Sequence, residues 1–291
     1  MTAPARRTDT TDAAESADPT GLARLAATLA SGAVRVIDLT HSLTPDFPVI
    51  VLPPELGQCR PFRLEEVSRY DARGPAWYWN DLSMSEHAGT HFDAPAHWIS
   101  GRHLPANTVD AVPPEKLIGP VRVIDFTEAS AADRDALMGV AEIEAHEAAH
   151  GTIPEGAWVL LRTGWSDLVG TDAYLGLEAD GAHSPGPDPA AMRMLVEERG
   201  IVGFGTETVG TDAGQGAHLD PPYPAHFILH GAGRYGLQCL ANLDRVPASG
   251  AMLVAAPLRI GGGSGSPCRV LALVPEGAEA PEGTRVPEEG A

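Results

Sequence analysis

Ser85-Glu86-His87-Ala88-Gly89-Thr90-His91-Phe92-Asp93-Ala94-Pro95-Ala96-His97 is the stretch on which the reading of this chain turns. It gathers three imidazoles and a carboxylate between His87 and His97. His87 and His91 offer borderline nitrogen donors and Asp93 a hard oxygen, a set that Zn2+ or Mn2+ accepts, while His97 stands far enough along to move protons. An H-x-x-x-H pair on a helix would share one face. Here Gly89, β-branched Thr90 and Pro95 each disfavour helix, and the residue before Pro95 is pushed to extended backbone. A strand end or loop remains. In extended backbone His91 and Asp93 project to the same side, and Gly89 permits a turn that swings His87 round to join them. The competing reading is a solvated or backbone-bonded histidine loop. The aspartate two places on and the further imidazole four beyond it favour a metal site.

Outward from this motif, strand-like runs recur at Val34 to Leu39, Val121 to Phe126, Trp158 to Arg162, Ile201 to Phe204, Met252 to Pro257 and Arg269 to Val274. Several are apolar on both faces, which calls for a sheet covered on both sides. Helices are available as cover. Leu22 to Ala30 is apolar-periodic, Ala141 to His150 ends at Gly151, and Asp188-Pro189 supplies an N-cap and first-turn proline for a helix closed by Gly200. The pattern predicts a mixed α/β domain. His146 and His150, among Glu142, Glu144 and Glu147, read as a solvated helix face.

The 291 residues are 43% hydrophobic, enough for a sizeable core. With 39 acidic against 20 basic residues the formal charge is −19, which argues against nucleic acid and anionic membranes as partners. Cys59, Cys239 and Cys268 form no C-x-x-C pair, so no disulfide framework or structural zinc site is indicated. No export signal or membrane-spanning run is seen, and the chain reads as cytoplasmic. Residues 1–19 read as a disordered leader, 20–275 as the folded domain and 276–291 as a disordered acidic tail.

Downstream lies Pro224-Ala225-His226-Phe227-Ile228-Leu229-His230-Gly231, followed by Tyr235-Gly236-Leu237-Gln238-Cys239. By itself His226 on an apolar segment reads as a bonded core histidine rather than a ligand. The pattern His87-x-Gly89-Thr90-His91-x-Asp93-Ala94-Pro95-x-His97, however, resembles the signature of the metal-dependent cyclase family, which includes bacterial kynurenine formamidases and isatin hydrolases. The resemblance extends to Ile37-Asp38-Leu39-Thr40-His41-Ser42-Leu43, to Pro154 through Trp165, and to Ala256-Pro257-Leu258-Arg259-Ile260 with Gly263-Ser264-Gly265-Ser266-Pro267.

That resemblance implies a swivelling β/β/α domain, a mixed sheet with flanking helices, acting as a homodimer. It implies His87, His91 and Asp93 as metal ligands, His97 as general acid/base and His226 as an active-site residue. Kynurenine formamidases of the family carry a glutamate where Gln238 stands, and it helps hold a second zinc. An amide is a weaker ligand, so one ion per chain is expected, Mn2+ with Zn2+ as the alternative, and His226 and Gln238 orient water or substrate. Trp79, in Trp77-Tyr78-Trp79, is read as a wall for a flat aromatic substrate, with core packing or a dimer contact as the competing role. Cys239 reads as packing rather than nucleophile. The expected activity is a metal-dependent amidohydrolase opening a cyclic aryl amide, isatin to isatinate in type, by metal-activated water, with His97 shuttling protons at a pKa near neutrality. The alternatives are an N-formylkynurenine formamidase, a non-hydrolytic cyclase tailoring enzyme and a non-catalytic metal-binding protein.

Overall fold

Strand-forming residues at both ends of the chain meet in one sheet. The structure, a computed structural model, describes residues 21–278. The expected leader lies outside the described residues, as does the tail beyond Ala278. In chain order the strands that matter are β1 (Val34–Asp38), β2 (Arg63–Asp71), β3 (Gly74–Ser83), β4 (His91–Asp93), β5 (Ile118–Asp125), β6 (Trp158–Arg162), β7 (Gly203–Thr206), β8 (Tyr235–Gln238), β9 (Ala251–Pro257) and β10 (Gly265–Pro275). The main sheet runs β1-β10-β9-β5-β6-β7-β8-β4, and β4 also pairs with β10, so the sheet closes on itself. Neighbours from β5 to β8 are parallel, while β4, β9 and β10 pair antiparallel. Closure leaves the short strand β4 bonded on both edges.

The strands that read as apolar on both faces have two different apolar neighbours. Val121, Val123, Trp158 and Leu160 face the barrel interior with Phe92, Leu237 and Val270. Ile124, Val159, Leu161 and Phe204 face outward into a second core shared with the helices α3 (Val140–His150), α4 (Pro189–Arg193) and α5 (Pro224–Gly231). Two further helices are α1 (Gly21–Ser31) and α2 (Thr127–Ala132). The expected Asp188 cap is present, and the structure adds a second at Gly139. Asp188 Oδ1 accepts from Ala191 N–H at 2.6 Å, and Glu142 Oε2 accepts from Gly139 N–H at 2.8 Å.

Two expectations are corrected. Helix α1 has no buried residue and so does not cover the sheet. His146 is buried, not solvated, because the helix face it shares with Ile143 turns toward the sheet. The hairpin β2–β3, which the sequence pattern left unassigned, is a separate two-stranded sheet that exposes Leu64, Trp77, Tyr78, Trp79 and Leu82.

Candidate metal centre

Double pairing fixes β4 in register. Asp93 lies opposite Gly236 and Gly265, Phe92 opposite Leu237 and Ser266, and His91 opposite Gln238 and Pro267. Strand alternation then sends Phe92 into the core against Trp158 and Tyr235, and leaves His91 and Asp93 together on the other face. Gly89 takes a left-handed φ of 66°, which turns the chain between His87 and His91. Thr90 locks the turn by donating to Cys239 O at 2.6 Å and accepting His41 N–H at 3.0 Å. After β4, Pro95 opens a 3-10 turn over Pro95–His97, and the His97 ring comes to lie 3.9 Å from that of His87.

The donor set converges. His91 Nδ1 donates to Gly89 O at 2.7 Å, so its Nε2 carries the lone pair, 3.5 Å from Asp93 Oδ1. His87 Nδ1 lies 2.8 Å from the same oxygen. Two imidazole nitrogens that each approach Asp93 Oδ1, with His91 and Asp93 buried, are donors of the kind a transition-metal dication takes. The backbone makes room for this: a Cβ on Gly265 would stand 2.5 Å from His87 Cε1 and 2.6 Å from Phe92 O. The donor atoms here that lie mutually within 4.8 Å are those of His87, Asp93 and His97, a set that does not include His91.

On the other side of Asp93, the Gln238 amide donates to Oδ2, and its nitrogen lies 3.4 Å from His226 Nε2. His226 Nδ1 donates to Asp212 Oδ2 at 2.5 Å. Asp212 also accepts the N–H groups of Ala225 at 2.6 Å and His226 at 3.2 Å, holding the start of α5. Trp98 packs its ring 4.7 Å from that of His226. One turn further along α5, His230 donates from Nδ1 to Arg234 O at 3.1 Å, and its buried Nε2 has no hydrogen-bond partner among the described residues.

Burial opposes charge throughout the cluster. It would raise the Asp93 carboxyl, but the imidazoles of His97, His91 and His87 outweigh it and hold the group well below its usual range. Burial lowers His91 and takes His230 to about 4. For His226 burial is overcome by Asp212, and its pKa rises. His97, expected near neutrality, is pressed by burial to about 3, only partly offset by Asp93. It therefore stands as a neutral base. Burial pushes the Cys239 thiol up to about 12, which keeps it out of nucleophilic chemistry.

The structure thus brings His87, His91, Asp93, His97, His226 and Gln238 into one cluster. Trp79 is not in it: the side chain sits on β3, 55% exposed, because the hairpin projects from the barrel. Sequence reasoning missed Asp212, Trp98 and His230. The i,i+4 spacing of His226 and His230 is the one available signal, since it sets both on one face of a helix.

Among known proteins, the model of the Cyclase family matches residues 37–213. The isatin hydrolase of Roseibium aggregatum is 47% identical over 257 residues, covering 88% of this chain and 97% of that protein. The solved structure of isatin hydrolase A from Labrenzia aggregata bound to benzyl benzoate is 63% identical, with a TM-score of 0.86 over 88% of this chain and 99% of that one. A crystal structure of an isatin hydrolase bound to the product analogue thioisatinate is 47% identical, with a TM-score of 0.85 over 88% and 98% of the two chains.

Proposed function

Since the chain belongs to the Cyclase family, we propose that it is a metal-dependent amidohydrolase that opens the ring of a cyclic aryl amide, isatin to isatinate in type. The observation that carries this reading is the approach of His87 Nδ1 and His91 Nε2 to Asp93 Oδ1 beside the ring of His97. The similarity to isatin hydrolases over nearly the whole described chain supports the substrate class.

His87, His91 and Asp93 would hold one dication, Mn2+ or Zn2+, and such an ion polarises a carbonyl and lowers the pKa of a water. His97 accepts the proton of the attacking water as the new C–O bond forms, and returns it to the ring nitrogen as the C–N bond breaks. The products are an arylamine and a carboxylate on one opened chain. His226 and Gln238 orient substrate or water, each held by a second contact, to Asp212 and to Asp93 respectively. Because the Gln238 amide occupies Asp93 Oδ2, the reading is one ion per chain. That favours ring opening over N-formylkynurenine deformylation with two ions.

Residues 20–275 act as one catalytic unit in the cytoplasm; no helix among the described residues is long and apolar enough to cross a membrane. The unit works as a homodimer in which a second copy covers the β2–β3 hairpin, and Trp79 meets the aromatic substrate only in that assembly. The exposed apolar row on the hairpin supports this. The test is a panel of isatin, formylkynurenine and related lactones on chelator-stripped, Mn2+-loaded and Zn2+-loaded protein, with His97→Ala as control. Ring opening of isatin that survives stripping, or that His97→Ala retains, sinks the mechanism.

A further inference from the structure

The far nitrogen of His87 is held by two residues outside the ligand set. Ser264 Oγ lies 2.7 Å from Glu86 Oε2 and 2.9 Å from His87 Nε2, and Ser264 N–H also reaches Glu86 Oε2 at 3.1 Å. A carboxylate only accepts, so the one hydroxyl proton goes to Glu86, and the hydroxyl oxygen accepts Nε2–H of His87. A neutral imidazole has a single N–H. Its Nδ1 then bears a lone pair, and it faces a second lone pair, on Asp93 Oδ1, at 2.8 Å. Two acceptors at hydrogen-bond distance need a positive charge between them, either the second proton of an imidazolium or a dication bound in its place.

We propose that Glu86 and Ser264 form an outer relay that commits His87 to ligate a dication through Nδ1 and strengthens it as a donor by setting a carboxylate behind Nε2. The proposal rests on the metal reading above. Metal-ligating imidazoles gain affinity from such partners, and the relay is of the carboxylate–hydroxyl–histidine kind. The fold builds it on purpose-fitted ground. Ser264 is pinned to the end of β4 by Ala94 N–H donating to Ser264 O at 2.9 Å, and Gly265 beside it has no Cβ to displace the His87 ring. Glu86 is the residue just before His87, so the motif carries its own charge to a serine from the far end of the chain.

The experiment measures Zn2+ affinity by chelator competition for wild type, Ser264→Ala, Ser264→Thr, Glu86→Gln and Asp93→Ala, with far-UV circular dichroism confirming each fold. Histidine tautomers are read by 15N NMR on the Zn2+-loaded wild type. Ser264→Ala is expected to weaken binding by about 10- to 100-fold. Ser264→Thr, which keeps the hydroxyl, restores it, and Glu86→Gln weakens it by a smaller factor. NMR shows His87 bound through Nδ1 with a proton on Nε2. If Ser264→Ala binds within twofold of wild type, or His87 ligates through Nε2, the relay is wrong. If wild type binds no ion, or Asp93→Ala binds it equally well, the metal reading itself falls.

Discussion

Replacing Gln238 with Glu turns the single-ion reading into a number. The Gln238 amide donates to Asp93 Oδ2 in a place where both side chains are buried. In Gln238→Glu that donor becomes a second carboxylate oxygen in contact with the first. At about 3 Å and an effective dielectric of about 20, two such charges repel by about 5 kcal/mol. Two escapes exist: a proton taken up by the pair, or a second dication. Asp93, His226 and His230 already have donor atoms within 4.8 Å of one another, and the new carboxylate would join them. Stripped of metal, the variant should therefore melt lower by roughly 10 °C or more, at about 2–4 °C per kcal/mol. With Zn2+ or Mn2+ in excess the midpoint should recover, and elemental analysis of dialysed protein should give two ions per chain where wild type gives one. Thermal melts with and without chelator, paired with the ion count, decide it. Two ions on wild type, or a variant with one ion and an unchanged midpoint, would refute the reasoning.

Asp212→Asn removes a charged acceptor from His226 Nδ1 and should lower kcat by about 10- to 100-fold, the worth of one charge-assisted hydrogen bond; unchanged kcat in steady-state assays would remove Asp212 from the mechanism. Gly265→Ala drives a methyl against His87 Cε1 and Phe92 O, and should cost about 1–3 kcal/mol in denaturant melts together with a loss of metal affinity. For pH, burial lowers His146 from an ordinary 6.5 to about 4, so the unfolded chain takes up this proton first. Its contribution to stability is complete above pH 6.5 and is lost as pH falls through 4. The difference in stability between wild type and His146→Gln should shrink by about 1–2 kcal/mol from pH 7 to pH 4, after allowing for screening, and a pH-independent difference would contradict the burial argument.

The candidate ligands were legible in the sequence because they are local. His91 and Asp93 alternate with Phe92, and Gly89 makes the turn, all within one short run. The strands of the barrel were legible as apolar runs, and their two-sided character is explained by Val123 facing inward while Ile124 faces the helices. Barrel closure was not legible, because it depends on β4 choosing β8 on one edge and β10 on the other, and no local pattern encodes that choice. Nor does a local pattern tell an outward helix face from an inward one where histidines and glutamates mix, which is why His146 was misread. The distinction matters for the site. A histidine becomes a ligand only when something takes the proton of its other nitrogen. For His91 that partner is Gly89 O, inside the motif, whereas Ser264 Oγ, from the far end of the chain, stands against Nε2 of His87. The motif therefore supplies the candidate donor atoms, whereas the closed sheet sets Ser264 against Nε2 of His87, by pairing the start of β10 with β4.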